Sequence, residues 1–330
     1  MGLKILSIET SCDDTGVSII EDGKIIINLL YSQIKAFKKF TGVIPEVASR
    51  IHNEKIIDLL SIINNRYKYD FNKLDYIAVT QGPGLINTLQ VGLITAKTLS
   101  MSLNKPLIGL NHLQGHIMSP FINKKLPNDF LNKRHLAILV SGGHTQLILI
   151  ENNFKFKLIG ETRDDTIGEC YDKVGSLINI NYPAGKKIDQ LANKGNAKYK
   201  FTVSNLENYE FSYSGLKSQL RRFVNENKFR KKDMAASFQK AAVEQIILQT
   251  KKYLNENKVD SIILAGGVSA NSLLRKEIRN LHEVTYVSDL AFCQDNAAMM
   301  ANLAHILVTN NLINIEKNYL LIDSFSRNKW

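Results

Sequence analysis

Short apolar runs alternate with polar turns at the start of the chain. The runs at 3–8, 17–20 and 24–30 are separated by turn residues, a pattern that predicts a β-meander. Stretches with helical periodicity follow, and they alternate with further short apolar runs and glycine-rich turns. The pattern therefore predicts an α/β fold in which strands and helices are mixed.

The second half of the chain repeats the order of the first. The stretch KILSIETSCDDTGVSII corresponds to HLAILVSGGHTQLILI, and DYIAVTQGPGL corresponds to DSIILAGGVSA. Two matches in the same order indicate an internal duplication. We therefore expect two α/β lobes, at 1–131 and 132–330, each with a mixed sheet flanked by helices. The segment at about 181–233 has no counterpart in the first half and is predicted to be a helical insertion in the second lobe.

Composition narrows the class of protein. With 44% hydrophobic and 22% charged residues, the 330-residue chain is neither disordered nor fibrous. Its three cysteines (Cys12, Cys170 and Cys293) are too scattered for a disulfide framework or a four-cysteine zinc site. No apolar stretch reaches the ~18 residues that cross a bilayer, and the N-terminus lacks the features of a secretory signal. We therefore expect a cytosolic protein.

The net charge of +11 permits an anionic partner such as nucleic acid. A lysine-rich compositional bias explains the same charge equally well. The densest basic run is RRFVNENKFRKK, inside the predicted insertion. It is either a solvated helix face or a surface that contacts nucleic acid.

A pair of histidines is the first feature that indicates chemistry. His112 and His116 are four residues apart, so on a helix both imidazoles lie on one face within reach of one metal ion. The segment after the corresponding strand of the second lobe carries Asp295. Two histidines from one lobe and a carboxylate from the other suit iron(II), and zinc accepts the same ligands. A zinc-protease mechanism is disfavoured, because Leu113 stands where such enzymes place their general base.

Two glycine-rich turns are candidates for anion binding. The turns at 141–145 and 265–271 each follow an apolar strand and can present backbone N–H groups to a phosphate or a carboxylate. Neither fits the P-loop or the Rossmann glycine pattern. In two matched lobes, they resemble the phosphate- and adenosine-binding loops of the actin-like, sugar-kinase and heat-shock ATPase superfamily.

Acidic residues cluster in two further turns. Glu9, Asp13 and Asp14 lie in the first, and the stretch DDTIGECYDK carries the second group, which includes Asp164, Asp165 and Asp172. They either cap turns and helices, or they coordinate a metal and bind a hydroxyl or an amino group. Cys12 is not predicted to be a nucleophile, since no histidine is near it in the sequence.

Together the motifs resemble those of one family over nearly the whole chain. From about residue 3 to about residue 305 they occur in the order SIETSCDDTGVSI, VIPEVASRIH, QGPGL, NHLQGH, LVSGGHTQL, GECYDKVG, FSYSGLK, AASFQ, GGVSANSLLR and DNAAMMA. This order is similar to that of the TsaD/Kae-type family, and the number and length of the motifs make the resemblance specific. The resemblance implies the two-lobed actin-like ATPase fold.

The resemblance also implies an acyltransferase activity. Members of the family move the threonylcarbamoyl group from threonylcarbamoyl-AMP to N6 of adenosine 37, beside the anticodon of tRNAs that read codons beginning with A, and release AMP. Bacterial members work with partners called TsaB and TsaE. One metal, commonly assigned as iron, is implied at His112, His116 and Asp295. The implied substrate contacts are Leu139, Val140, Ser141, Gly142, Gly143, Asp172, Gly185, Asp189 and Asn271.

Within such a reaction, Asp13 is our candidate for accepting a proton from the N6 amine. Two other functions are alternatives. An ATP-hydrolysing protein of the same fold would have no tRNA substrate and would usually lack the histidine pair. A non-catalytic scaffold subunit is expected to have lost both the glycine turns and the metal ligands, which this chain retains.

Overall fold

The computed structural model describes residues 2–37, 42–313, 315 and 319–327. By its internal contacts the chain divides into two units. The first unit runs to Asn128 and resumes at Gln294, and the second unit is Asp129–Cys293. The first break lies near the predicted boundary after residue 131. The prediction placed everything beyond that boundary in the second lobe, whereas the chain from Gln294 onward groups with the first unit.

Two five-stranded mixed sheets, one in each unit, form the framework. In chain order the strands are β1 (Lys4–Glu9), β2 (Asp14–Glu21), β3 (Lys24–Ser32), β4 (Tyr76–Gly82), β5 (Leu107–Asn111), β6 (His135–Val140), β7 (Thr145–Glu151), β8 (Lys155–Glu161), β9 (Ser261–Ala265) and β10 (Thr285–Val287). The strand orders are β3-β2-β1-β4-β5 and β10-β9-β6-β7-β8. Strand β1 pairs antiparallel with β2 and parallel with β4, and β6 pairs in the same way with β7 and β9. The shared topology confirms the predicted duplication.

Helices flank the sheets in both units. In the described part of the chain they are α1 (Ile34–Phe37), α2 (Pro45–Asn65), α3 (Ile86–Leu103), α4 (His112–Met118), α5 (Ile167–Leu177), α6 (Gly185–Ala192), α7 (Ser214–Glu226), α8 (Lys231–Glu256), α9 (Ser272–Arg279) and α10 (Ala297–Thr309). None of these helices combines the length and the apolar character needed to span a bilayer.

The C-terminal helix α10 packs on the sheet of the first unit. Its small and apolar side chains are nearly all buried. The hydroxyl of Ser7 donates to the carbonyl of Ala297 at 2.6 Å, and a Cβ at Gly16 would lie 2.8 Å from the Ala297 nitrogen. This close approach explains why the chain beyond Gln294 belongs to the first unit. Asp295 therefore lies in the same unit as the histidines, and not in the other lobe as predicted.

The predicted insertion at 181–233 is only partly helical. It contains α6 and α7, which are joined by a long irregular connection, and it ends inside α8. Helix α7 buries Leu216 and Leu220 in the core of the second unit. The segment is therefore an integral part of that core.

Candidate functional site

The three predicted metal ligands converge within the first unit. Helix α4 begins directly after β5, and Asn111 caps it by accepting from the backbone nitrogen of Leu113 at 2.9 Å. The helix holds the rings of His112 and His116 with their centroids 4.7 Å apart. Oδ1 of Asp295 lies 2.9 Å from His116 Nε2 and 3.7 Å from His112 Nε2. One donor atom from each residue lies within 4.8 Å of the others.

This donor set fits a divalent cation. Both histidines are buried, and each turns its Nε2 toward the same carboxylate oxygen. Two imidazoles and one carboxylate are the ligands of non-haem iron(II) sites with open positions, and zinc accepts the same groups. The geometry is therefore compatible with a metal centre and does not identify the metal.

Two neighbouring carboxylates raise the pKa of His112. Burial alone lowers the pKa of His112, but the charges of Glu9 and Asp295 outweigh this effect and raise the pKa to about 9. His112 is therefore protonated at neutral pH in protein that holds no cation. A metal that binds here must displace that proton.

Asp13 and Cys12 lie in the turn after β1, and their pKa values shift upward. Burial and the charge of Asp295 raise the pKa of Asp13, which makes its carboxylate a better proton acceptor. Burial and the charge of Asp13 raise the pKa of the Cys12 thiol well above its ordinary value. A thiol with a raised pKa keeps its proton at neutral pH, which agrees with the prediction that Cys12 does not act as a nucleophile.

Asp14, the first residue of β2, makes the stability of the protein depend on pH. Burial raises its pKa from 3.8 to about 7. The native state then retains a proton that the unfolded chain has lost, so this contribution to stability is complete below pH 3.8 and disappears as the pH rises through 7. We expect Asp14→Asn to raise the Tm of chelator-treated protein more at pH 8 than at pH 5. Equal changes at both pH values would contradict this account. Asp58→Asn, on the exposed side of α2, is the control.

The glycine turn between β6 and β7 is open where side chains would stand. The hydroxyl of Ser141 accepts from the backbone nitrogens of Gly143 at 3.3 Å and His144 at 3.0 Å, which fixes the turn. A Cβ added at Gly142 or Gly143 would meet no atom within 4 Å. The backbone can therefore be approached closely by a ligand, as a phosphate cradle requires.

The second glycine turn packs against the end of β6. Leu139 and Val140 are fully buried there, so they can offer a ligand only their backbone groups. Gly266 has a φ of +90°, and a Cβ on it would lie 2.4 Å from the Val140 carbonyl oxygen. Asn271 then caps α9 by accepting from the nitrogen of Leu274 at 2.9 Å. Glycine at 266 is thus required by the contact between this turn and β6.

Asp189, Gln239 and Asn271 form one hydrogen-bonded cluster in the second unit. Gln239 Nε2 donates to Asp189 Oδ1 at 2.9 Å, and Asn271 Nδ2 donates to Gln239 Oε1 at 2.8 Å. The hydroxyl of Ser272 also donates to Asp189 Oδ1, at 2.7 Å. Because the bonds that Asp189 accepts from Gln239, Asn271 and Ser272 all use Oδ1, Oδ2 is the oxygen suited to accept from a ligand hydroxyl. Sequence reasoning missed Gln239, although it belongs to the quoted motif AASFQ.

Asp172 and Gly185 precede Asp189 in the chain, on α5 and at the start of α6. Asp172 Oδ1 accepts from the nitrogen of Ala184 at 2.7 Å and so ties α5 to the start of α6. Burial raises the pKa of Asp172. Helix α6 begins at Gly185, where a Cβ would meet no atom within 4 Å. A cavity of about 430 Å³ is lined in part by Asn193 and Gln239, but by none of the predicted substrate contacts.

Asp164 and Asp165 have structural roles. Asp164 accepts from the hydroxyls of Ser212 at 2.5 Å and Ser214 at 2.6 Å, which anchors the start of α7. Asp165 forms an ion pair with Lys217 on the same helix. Of the two interpretations of this acidic turn, capping is therefore the one that fits these two residues.

The basic run lies on the surface of the second unit. Helix α7 buries Leu216 and Leu220, whereas Arg221 and Arg222 on the same helix are exposed. The basic side chains are all exposed: Arg221, Arg222, Lys228, Arg230, Lys231 and Lys232. The surface is accessible to a polyanion.

Solved structures define the class of this fold. The chain superposes on HypF from T. kodakarensis with a TM-score of 0.64 and 16% identity, covering 95% of this chain and 49% of that one. It also superposes on component A of the (R)-2-hydroxyglutaryl-CoA dehydratase of Acidaminococcus fermentans, with a TM-score of 0.56 and 14% identity, over 93% of this chain and 99% of that one. The fold is the duplicated α/β fold of actin-like, sugar-kinase and heat-shock ATPases, as predicted.

Sequence similarity then identifies the family. The profile of TsaD, tRNA N6-adenosine threonylcarbamoyltransferase, matches residues 24–302. The protein of that name from Carboxydothermus hydrogenoformans is 47% identical over 309 residues, which are 91% of each chain. Its counterpart from Mycoplasmopsis synoviae is 43% identical over 310 residues, 93% of this chain and 99% of the other. This chain belongs to the TsaD family of transferases.

Proposed function

We propose that this protein transfers the threonylcarbamoyl group from threonylcarbamoyl-AMP to N6 of adenosine 37 in tRNAs that read codons beginning with A, with release of AMP. The observation that carries this proposal is the identity of 47% over 91% of both chains with a tRNA N6-adenosine threonylcarbamoyltransferase. The convergence of His112, His116 and Asp295 supports it independently. It also disfavours the ATP-hydrolysing and scaffold alternatives, which do not require this cluster.

The second unit holds the AMP half of the donor. The glycine turn at 141–143 binds the phosphate and stabilises the charge on the leaving AMP, with the N–H of Gly142 as the donor, because the turn itself uses those of Ser141 and Gly143. The open space beside Gly142, Gly143 and Gly185 supports this role. Asp189 Oδ2 accepts from a ribose hydroxyl, and Asn271 and Gln239 hold that carboxylate in place. Asp172 and the backbone of Leu139 and Val140 complete the contacts that we assign to the substrate.

The first unit supplies the metal ligands and the proton acceptor. His112, His116 and Asp295 hold one divalent ion, for which we propose iron(II), with zinc as the compatible alternative. When bound, such an ion supplies Lewis acidity for a carbonyl oxygen. Asp13 accepts the proton that the N6 amine loses, and its raised pKa supports this assignment.

Partners of the TsaB and TsaE type are part of the proposal. Their inclusion rests on the family resemblance. The reaction takes place in the cytoplasm, where its tRNA substrate is found.

The exposed basic run binds the tRNA backbone in this proposal. Replacing Arg221 and Arg222 with Glu should weaken tRNA binding by at least about tenfold. The negative slope of log K against log salt should become less steep by roughly 0.7–0.9 for each phosphate contact that is lost. Nucleotide affinity should be unchanged. The titration is made with the single chain and with the assembled complex.

The matched control reverses two other exposed cations of the same unit, Lys155 and Lys157 on β8. If both double variants bind tRNA like the parent, with the same salt slope, the basic run is a solvated face and the excess charge is compositional.

A transfer assay tests the function itself. Threonylcarbamoyl-AMP labelled in its threonine is incubated with the protein, its partners and a tRNA transcript that carries A37. We expect the label to enter this transcript and not a matched transcript with G37. ATP hydrolysis without transfer of label would favour the ATPase alternative.

A further inference from the structure

Glu9 is a buried carboxylate next to the metal cluster. It ends β1, and its exposed fraction is 0%. Oε1 accepts from the nitrogen of Ser11 at 2.7 Å, and Oε2 accepts from the hydroxyl of Thr80. Oε2 also lies 3.4 Å from Nδ1 of His112, the ring nitrogen that faces away from Asp295. Glu9 therefore contacts His112, a predicted metal ligand, on the side of the ring opposite to Asp295.

The register of the sheet produces this arrangement. Strands β1 and β4 run parallel with Ile8 opposite Val79, so Glu9 lies beside Thr80 at the ends of the two strands. Strand β5 pairs with β4 and ends immediately before His112. Because these groups stand at the ends of adjacent parallel strands, their positions are fixed by a rigid part of the fold.

The group behind Nδ1 determines which nitrogen of His112 carries the proton. The hydroxyl of Ser11 is 3.2 Å from Nδ1, but a hydroxyl either donates or accepts and so permits both tautomers. An ionised carboxylate only accepts, which requires the proton on Nδ1 and makes Nε2 the nitrogen that gives up its proton to a metal.

Both oxygens of the Glu9 side chain accept hydrogen bonds, as those of an ionised carboxylate do. The bonds from Ser11 and Thr80 agree with this, since both come from donors.

We propose that Glu9 is a positioning residue for metal binding, which holds His112 in the Nδ1-protonated tautomer with Nε2 turned toward the ion. The inference rests on the proposed metal centre. A carboxylate on the far side of a ligand histidine fixes the ring orientation and keeps the proton on Nδ1 when the metal displaces the proton on Nε2, and it typically contributes 10–100-fold in affinity.

The experiment measures Zn²⁺ and Co²⁺ binding by the full chain. Glu9→Gln preserves the size of the side chain but removes its charge, and we expect the dissociation constant to rise by about 10–100-fold. The absorption spectrum of bound Co²⁺ should change as well, because the orientation of one ligand changes. Asp233→Asn is the matched control, since it neutralises another buried carboxylate in the second unit and should leave both readouts unchanged.

A second measurement on the unaltered protein needs no variant that might fail to fold. In ¹⁵N-histidine NMR of the Zn²⁺-loaded chain, His112 should carry its proton on Nδ1 and bind the metal through Nε2. Metal bound through Nδ1, or a folded Glu9→Gln protein with the parent's affinity, would overturn the role of Glu9 alone. A parent chain that binds neither metal would overturn the metal centre and the role of Glu9 together.

Discussion

Replacing His112 with alanine is expected to lower the bound metal by at least about tenfold while the protein stays folded. His112 provides one of three donor atoms, and the remaining pair, His116 and Asp295, cannot hold a divalent ion with comparable affinity. Threonylcarbamoyl transfer should fall with the metal content. Glu9 loses a buried partner in this variant, which costs about 1–3 kcal/mol of stability.

The measurement is elemental analysis of the purified variant, with circular dichroism to establish that it is folded. His305→Ala is the matched control, because His305 is a half-buried histidine of the same unit that lies against Gly23 and outside the cluster. A folded His112→Ala protein with the parent's metal content would show that the metal is held elsewhere.

The second large effect is expected at the glycine turn between β6 and β7. Gly142→Val should weaken AMP binding by at least about tenfold, equivalent to ~1.4 kcal/mol. The reason is steric: a Cβ at Gly142 meets no protein atom within 4 Å, so the added methyl groups occupy space that we assign to the phosphate. The protein itself should tolerate the change.

Calorimetry gives the dissociation constant for the Gly142→Val variant. Gly215→Val is the matched control, since a Cβ at Gly215 also meets no atom within 4 Å, but on the exposed start of α7. An unchanged dissociation constant in Gly142→Val would show that this turn is not the phosphate cradle.

Most of the framework could be predicted from the sequence because the two units repeat one hydrophobic pattern. The strand predicted at 135–140 is observed at those residues, and the helix predicted at 45–64 is observed as Pro45–Asn65. The assignment of the C-terminal segment could not be predicted. The sequence of α10 is apolar at most positions, and apolar character alone does not specify which sheet a helix covers. That choice depends on the close contact at Ser7 and Gly16.

The candidate site, too, could be predicted only in part from the sequence. The spacing of His112 and His116 places both rings on one face of α4, as the sequence indicated. The roles of Glu9 and Gln239 could not be predicted, because each depends on which distant residues the fold places beside it. For Glu9 that neighbour lies across two strand pairings, which no local pattern reveals.

The central claim is that this chain forms the threonylcarbamoyl modification of tRNA. Mass analysis of tRNA nucleosides from cells depleted of the protein tests it most directly. We expect N6-threonylcarbamoyladenosine to disappear, to return when the parent chain is restored, and to remain absent when Asp295→Ala is supplied instead. An unchanged level of this nucleoside in fully depleted cells would contradict the proposed function.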